Sequence, residues 1–287
     1  MFFINLILVV IALFAIVCLW SAIYDSNRFV VSRYELCDEH IKKEFRFVFL
    51  TDVHLKEYGK KNTRLLDAID REKPDAILIG GDLINATPGA DVTAAVFLVN
   101  CLSEHYPVYY AYGNHEARAK ANPEKYGELF PKYLEMISYP NVTFLENSSV
   151  ELPEAGIAIS GLSMDQYYYK KRVPRVFPER YLEKKLGARN PNCFQILLAH
   201  QPDYFRFYAA WDADLTLSGH VHGGVMRLPI LGGVISPALR LFPHYDGGVF
   251  EEYDHRMILG RGLGMHTIPI RIFNPGEVIV VTLMPKP

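Results

Sequence analysis

Five times in this chain a short apolar run stops and Asp, Asn or His follows at once, usually beside glycine. The segments are FVFLTDVH, AILIGGDLIN, VYYAYGNHE, FQILLAHQPD and LTLSGHVHGG. Short runs rich in Val, Ile and Phe have the length and composition of buried strands. In α/β folds, ligands collect beyond the carboxyl ends of strands. The chain is therefore expected to fold so that five strand ends share one edge. That would gather Asp52, His54, Asp82, Asn114, His115, His200, His220 and His222. A lone Asp after a strand is more often a turn or helix-cap residue, and a lone His more often a structural one. The repetition of the pattern is what argues for a site.

Between the apolar runs lie helical patterns at 61–73, 91–105, 124–137 and 178–186, and further strand-like runs fall at 157–159, 257–259 and 278–283. The early β-α-β-α-β order predicts an α/β fold with a mixed sheet. The Pro/Gly-rich stretch 228–248 reads as a long loop region with short strands. Carboxylate, imidazole and amide oxygen without thiolate suit manganese, iron, zinc or cobalt. In Asp-x-His and His-x-His the two side chains leave the same side of an extended backbone, so both are expected to reach one ion or a close pair.

The formal net charge is −2 and 22% of residues are charged, with no long Lys/Arg run. No stable nucleic-acid partner is expected from this balance. Cys18, Cys37, Cys101 and Cys193 include no CxxC pair, which argues against a disulfide framework and a zinc-cysteine site.

Residues Phe2 to Ile23 carry no charge, and only Asn5 and Ser21 are polar. As a helix this run is roughly 33 Å long, enough for a bilayer core of about 30 Å. Residues 1–24 are therefore expected to be a single-pass transmembrane anchor, 25–44 a connecting segment and 45–287 the domain that carries the five strand ends. A cleaved signal peptide fits less well, because no Lys/Arg precedes a run this long. Arg28 and Arg33, with Asp25 and Glu35 beside them, leave the side of the membrane open.

The order D-x-H, GGD, GNHE, H, GHxH resembles the calcineurin-like metallophosphoesterase superfamily, over about Arg46 to Gly224. The tail, with RLPILGG, GRGLG and PIRIFNPGEVIVVTL, resembles the bacterial membrane-associated phosphodiesterases, whose relatives include UDP-2,3-diacylglucosamine hydrolases. The resemblance implies a four-layer αββα sandwich with mixed sheets, here preceded by one transmembrane helix, and two divalent metal ions. One ion would take Asp52, His54, Asp82 and His222. The other would take Asp82, Asn114, His200 and His220, with Asp82 bridging. A hydroxide shared by the ions would attack phosphorus. His115 would face the substrate as a catalytic residue, acting as imidazolium, and Glu116 would support it through a hydrogen bond.

For the substrate phosphate the candidates are Arg118, just after GNHE, and Tyr168, Lys171 and Arg172 in MDQYYYKKRVPR. That segment reads either as a lid or, more simply, as a solvated loop. The expected activity is hydrolysis of a phosphodiester or pyrophosphate, of lipid-linked or envelope type, by a monomer. A broad phosphomonoesterase or nuclease on the same site is the alternative, and an inactive membrane scaffold the remote one.

Overall fold

The computed structural model describes residues 1–137, 139–170, 175–228, 230–235, 241–265 and 269–287. The elements begin with α1 (Phe2–Asp25), β1 (Phe29–Asp38), β2 (Phe45–Leu50), α2 (Thr63–Glu72), β3 (Ala76–Ile79), α3 (Thr93–His105) and β4 (Val108–Ala111). There follow α4 (Asn114–Ala121), α5 (Pro123–Tyr126), α6 (Leu129–Met136), β5 (Val142–Leu145), β6 (Ser148–Leu152), β7 (Ile157–Leu162), α7 (Tyr181–Leu186) and β8 (Phe194–Ala199). The chain ends with α8 (Phe205–Ala210), β9 (Leu215–Ser218), β10 (Met226–Leu228), β11 (Gly232–Ile235), β12 (Gly248–Glu252), β13 (His255–Leu259) and β14 (Gly276–Pro285).

Two mixed six-stranded sheets result, in the orders β1-β14-β2-β3-β4-β5 and β12-β13-β9-β8-β7-β6. They pack face to face because alternate residues of each strand turn one apolar row toward the facing sheet, the period of a pleated strand. On β2, Phe45, Phe47 and Phe49 point between the sheets, while Val48 and Leu50 join the helix-side core. On β8, Ile196 and Leu198 face inward, and Leu197 and Ala199 face the aromatic layer around α8. A sheet that is apolar on both faces needs cover on both. Leu65 and Ile69 of α2 and Leu98 and Leu102 of α3 cover the first sheet, and Leu182 and Phe205 the second. The result is the expected α/β sandwich.

Strands β2, β3, β4 and β5 run parallel, as do β7, β8 and β9. Their carboxyl ends therefore meet along one edge of the sandwich.

Three local expectations change. The connecting segment 25–44 holds the ten-residue strand β1, paired in parallel with β14 at the sheet edge. The helix expected over 124–137 is broken into α5 and α6 at Gly127, whose φ is +60°. The GNHE block opens a helix, α4, where only a strand end was expected. The N-terminal helix α1 is long and apolar enough to cross a membrane, and it is exposed along most of its length.

Candidate functional site

Each of the five blocks delivers its polar residues just past a strand. Asp52 and His54 follow β2, Asp82 follows β3, Asn114 and His115 follow β4, His200 follows β8, and His220 and His222 follow β9. Both sheets contribute. Three overlapping groups have ligand atoms within 4.8 Å of one another: Asp52, His54 and His222; His54, Asp82 and His115; Asp82, His200 and His220.

The backbone differs from the expected extended D-x-H and H-x-H. Asp52, His54, Asp82, His220 and His222 all have positive φ, between 47° and 72°. Such values are uncommon outside glycine and concentrate at functional sites. Successive turns of this kind send His220 and His222 to different groups instead of to one side of a strand. The loops can sit this close because Gly81 packs against Gly113. A Cβ on Gly81 would stand 2.1 Å from the Gly113 nitrogen.

The imidazoles are oriented by their outer nitrogens. His54 Nδ1 lies 2.7 Å from Asn85 Oδ1, and His200 Nδ1 lies 2.7 Å from the Gly80 carbonyl oxygen. Both partners accept, so Nδ1 donates in each case and Nε2 is turned inward. His200 Nε2 is 3.1 Å from Asp82 Oδ2, and His222 Nε2 is 3.3 Å from Asp52 Oδ1. His54 Nε2 lies between the two carboxylates, 3.8 Å from Asp52 Oδ1 and 3.9 Å from Asp82 Oδ2. Asp82 Oδ1 accepts from the His115 amide at 2.7 Å, so Oδ2 is the oxygen facing both His54 and His200. Asp52 is fixed by Thr51 Oγ1 and by the His220 amide.

This packing leaves charge and lone pairs seeking a cation. Burial opposes the Asp82 charge, but His200, by its charge and its hydrogen bond, holds that carboxyl well below the usual range. Burial likewise opposes a charge on His200, yet Asp82 and Asp52 push it up to about 10. Burial, then the His200 charge, push His220 down to about 3. A proton on His200 thus takes the place of a positive ion between two buried carboxylates. Asn114 Oδ1 is buried and accepts no hydrogen bond among the described residues. Inward imidazole nitrogens, two carboxylates and an orphaned amide oxygen are the donor set of a divalent cation site.

Two further expectations are corrected. The Ala86 amide donates to His115 Nδ1 at 2.8 Å. The ring proton of His115 therefore stands on Nε2, and the imidazolium form would break that bond. Glu116, fully buried, turns to backbone: it accepts from the Asp82, Leu83 and Gly113 amides and from Tyr110 Oη at 2.8–3.1 Å. It ties the Asp82 loop to the start of α4. Burial, and after it the Asp82 charge, push its carboxyl up to about 7.

The substrate candidates fare unevenly. Arg118 stands one turn beyond Asn114 on α4, half-buried, with no ion pair among the described residues. Tyr168 is not at the site. It is buried among Phe177, Tyr181 and Tyr204, because the short helix 166–169 points successive tyrosines in different directions. Its neighbour Tyr169 is the one that faces the histidines, with ring centroids 5.5 Å from His220 and 6.4 Å from His200. Lys171 and Arg172 lie outside the described residues. The segment is no freely solvated loop where it is described, since Met164 and Tyr168 are core and Arg175 pairs with Asp203 at 2.7 Å. Sequence reading missed Tyr169, Asn85 and Asn274, whose side-chain amide donates to the His222 and Gly224 carbonyls at 2.8 and 2.7 Å. Of the three, only Tyr169 had a signal, inside a triplet whose members look alike.

Comparison with known proteins agrees with this geometry. An uncharacterised metallophosphoesterase of Campylobacter jejuni is 28% identical over 256 residues, covering 86% of this chain and 61% of that protein. This chain thus spans less than two thirds of that relative. The metallophosphoesterase YkuE of Bacillus subtilis is 28% identical over 243 residues, covering 83% and 79%. The phosphodiesterase YaeI of Escherichia coli is 26% identical over 223 residues, covering 77% and 75%. The pattern of the calcineurin-like phosphoesterases matches residues 45–224, from β2 through the GHVHGG turn. That match takes in every strand end that carries a clustered Asp, Asn or His, and the chain belongs to the calcineurin-like phosphoesterase family.

Proposed function

We propose that this chain hydrolyses a phosphodiester or pyrophosphate of a lipid-linked or envelope molecule, with two divalent cations and as a monomer held to a membrane by α1. The observation that carries the reading is the meeting of Asp52, His54, Asp82, His200, His220 and His222, from both sheets, with ligand atoms within 4.8 Å in overlapping groups. Asp52, His54, Asp82 and His222 would hold one ion, and Asp82, Asn114, His200 and His220 the other. Manganese, iron, zinc and cobalt all suit these donors. Such ions, when bound, supply Lewis-acid polarisation of the phosphoryl group and an acidified water.

The chain's own residues do the rest. Asp82 Oδ2 faces both histidine groups and so suits the shared position. His115, fixed through Nδ1 and through its amide, presents Nε2–H as a donor to a phosphoryl or leaving oxygen. Arg118, on the face of α4 that carries Asn114, suits a further phosphate oxygen. An apolar helix at the N-terminus favours a substrate that is itself in or near a bilayer.

The test is metal analysis of the full chain in detergent, followed by hydrolysis of bis-p-nitrophenyl phosphate against the monoester. Metal retention with a preference for the diester is expected, and a chain that retains no divalent metal and cleaves neither would refute the reading. His115→Ala should keep its metal and lose about 10²–10⁴-fold in turnover. Loss of metal in that variant would make His115 a ligand or a structural residue instead of a donor to substrate.

A further inference from the structure

The last turn of α1 is docked on the folded domain. Ser21 and Asp25 are buried there; Ser21 Oγ accepts from the Phe273 amide at 2.7 Å and donates to Asp25 at 2.7 Å. Only residues 26–28 separate α1 from β1, a stretch of at most about 11 Å. On the outer side of the same turn, Trp20 stacks on Tyr24 at 4.9 Å and the Arg28 guanidinium lies over the Tyr24 ring at 4.8 Å. Amphipathic aromatics and arginine of this kind settle at the headgroup level. If α1 crosses a bilayer, the surface around Phe273 is therefore fixed at that level, without a slack tether.

That surface is a small strand assembly separate from both sheets. Ile272, next to Phe273, bridges to Met226 of β10, and β10 pairs with β11. On the far side of β11, Leu241 bridges to Ile235, and the Phe242 amide donates to the Val234 carbonyl at 2.9 Å. The assembly presents Ile230, Leu231, Leu241 and Phe242 to solvent, all at least 59% exposed. Ile230, Leu241 and Leu231 are the three most exposed aliphatic side chains outside α1 among the described residues. Apolar side chains gathered in this way mark a contact surface. The assembly also touches the metal cluster, since Asn274, adjacent to Phe273, holds the His222 carbonyl.

We propose that the β10–β11 hairpin and the 241–242 segment form a second bilayer-contact surface beside α1, which seats the domain on the membrane with its metal cluster next to the lipid headgroups. The occupant is the lipid surface, because the strand assembly that carries these side chains is tied through Ile272 and Phe273 to the docked end of an apolar helix, and no linker lets the domain swing away. The proposal rests on the reading of α1 as a membrane helix, and its test separates the two.

The full chain is reconstituted in phosphatidylcholine vesicles with or without brominated acyl chains, and tryptophan fluorescence is read. The native tryptophans are Trp20, on α1, and Trp211, buried in the domain. Quenching of wild type that W20F removes shows α1 in the bilayer. On the W20F background, L231W and, at a second position, I230W should each be quenched at least twofold more than Y139W. Tyr139 is exposed and lies just before β5 (Val142–Leu145), the edge strand opposite β1. Quenching at Trp20 with none above the Y139W level at 230 and 231 overturns the contact surface and leaves the anchor standing. A blue-shifted L231W emission that brominated lipid does not quench marks burial against protein and overturns it too. Absence of quenching at Trp20 overturns the anchor reading, and the proposal with it. Hydrolysis of soluble bis-p-nitrophenyl phosphate within twofold of wild type certifies each variant as folded.

Discussion

Alanine in place of Gly81 tests whether the site depends on two loop backbones touching. Gly81 has φ +95°, and an added Cβ would stand 2.1 Å from the Gly113 nitrogen and 2.4 Å from its Cα. Ordinary Cβ contacts begin at 3.4 Å, so the loops would have to part by about 1 Å, the difference between these distances. One loop carries Asp82 and the other Asn114 and His115. The 2.7 Å bond from the His115 amide to Asp82 Oδ1 would lengthen out of hydrogen-bonding range. Displacement of about 1 Å at a catalytic centre is worth on the order of 10²-fold in rate. The left-handed backbone adds its own cost of about 1–2 kcal/mol for alanine. Gly89 supplies the control: its φ is +70° in the turn closed by the Ala90 amide on the Thr87 carbonyl, and an added Cβ meets nothing within 4 Å. G89A should lose only the backbone contribution, about 1–2 kcal/mol in urea unfolding, and keep its activity. G81A should lose more stability, bind manganese more weakly in calorimetry and fall about 100-fold in kcat/KM. A G81A protein that matches G89A in all three measurements refutes the reasoning.

Glu116→Ala removes the acceptor of the buried Asp82, Leu83 and Gly113 amides, at about 1–3 kcal/mol for each donor left unpaired. Urea unfolding should therefore show a loss of several kcal/mol; a loss under about 1 kcal/mol would mean that water replaces the carboxylate. Asn85→Ala frees His54 Nδ1 and should weaken metal binding about 10–100-fold, with Asn85→Asp restoring it, as read by competition with a chelating dye. Without metal, stability should be highest between about pH 4.5 and 6.5. His220, at about 3 in the fold, binds fewer protons than the unfolded chain between about 3 and 6.5, so stability rises from about pH 3 until Glu116, at about 7 in the fold against 4.5 unfolded, binds more and offsets it above about 4.5. His200, at about 10, binds more between about 6.5 and 10, so stability falls. Melting temperatures in EDTA across pH check both limbs, and manganese should abolish the alkaline loss because the ion replaces the proton on His200.

The fold was legible wherever burial imposes a pattern on both faces of a strand. Phe45–Leu50, Ala76–Ile79 and Phe194–Ala199 are apolar but for Arg46 and Gln195, because helices cover one face and the opposing sheet the other. Strand β1 escaped notice for the opposite reason. It lies at a sheet edge with Arg33, Glu35 and Cys37 exposed, so its residues alternate and carry charge like a linker. Its pairing with β14 is a contact across some 250 residues, and no local pattern encodes that.

The site divides along the same line. Residue type and strand end sufficed to nominate the Asp, Asn and His residues, because a polar side chain placed immediately after a buried strand has few places to go except the edge where neighbouring strands end. Direction was not legible. Whether Tyr168 or Tyr169 faces His220 depends on a single short 3₁₀ turn, and whether His115 carries its proton on Nδ1 or Nε2 depends on the Ala86 amide, 29 positions away. The left-handed backbones of Asp52, Asp82, His220 and His222 belong to this second class. Asp and His enter this region more readily than most residues, but their own sequence does not impose it over the extended one. It persists because buried partners over-determine it: Glu116 grips the Asp82 loop, and the His220 amide binds the Asp52 carboxylate. The strain sits on the residues that converge, so variants that relax it should disperse the donor atoms before they unfold the chain.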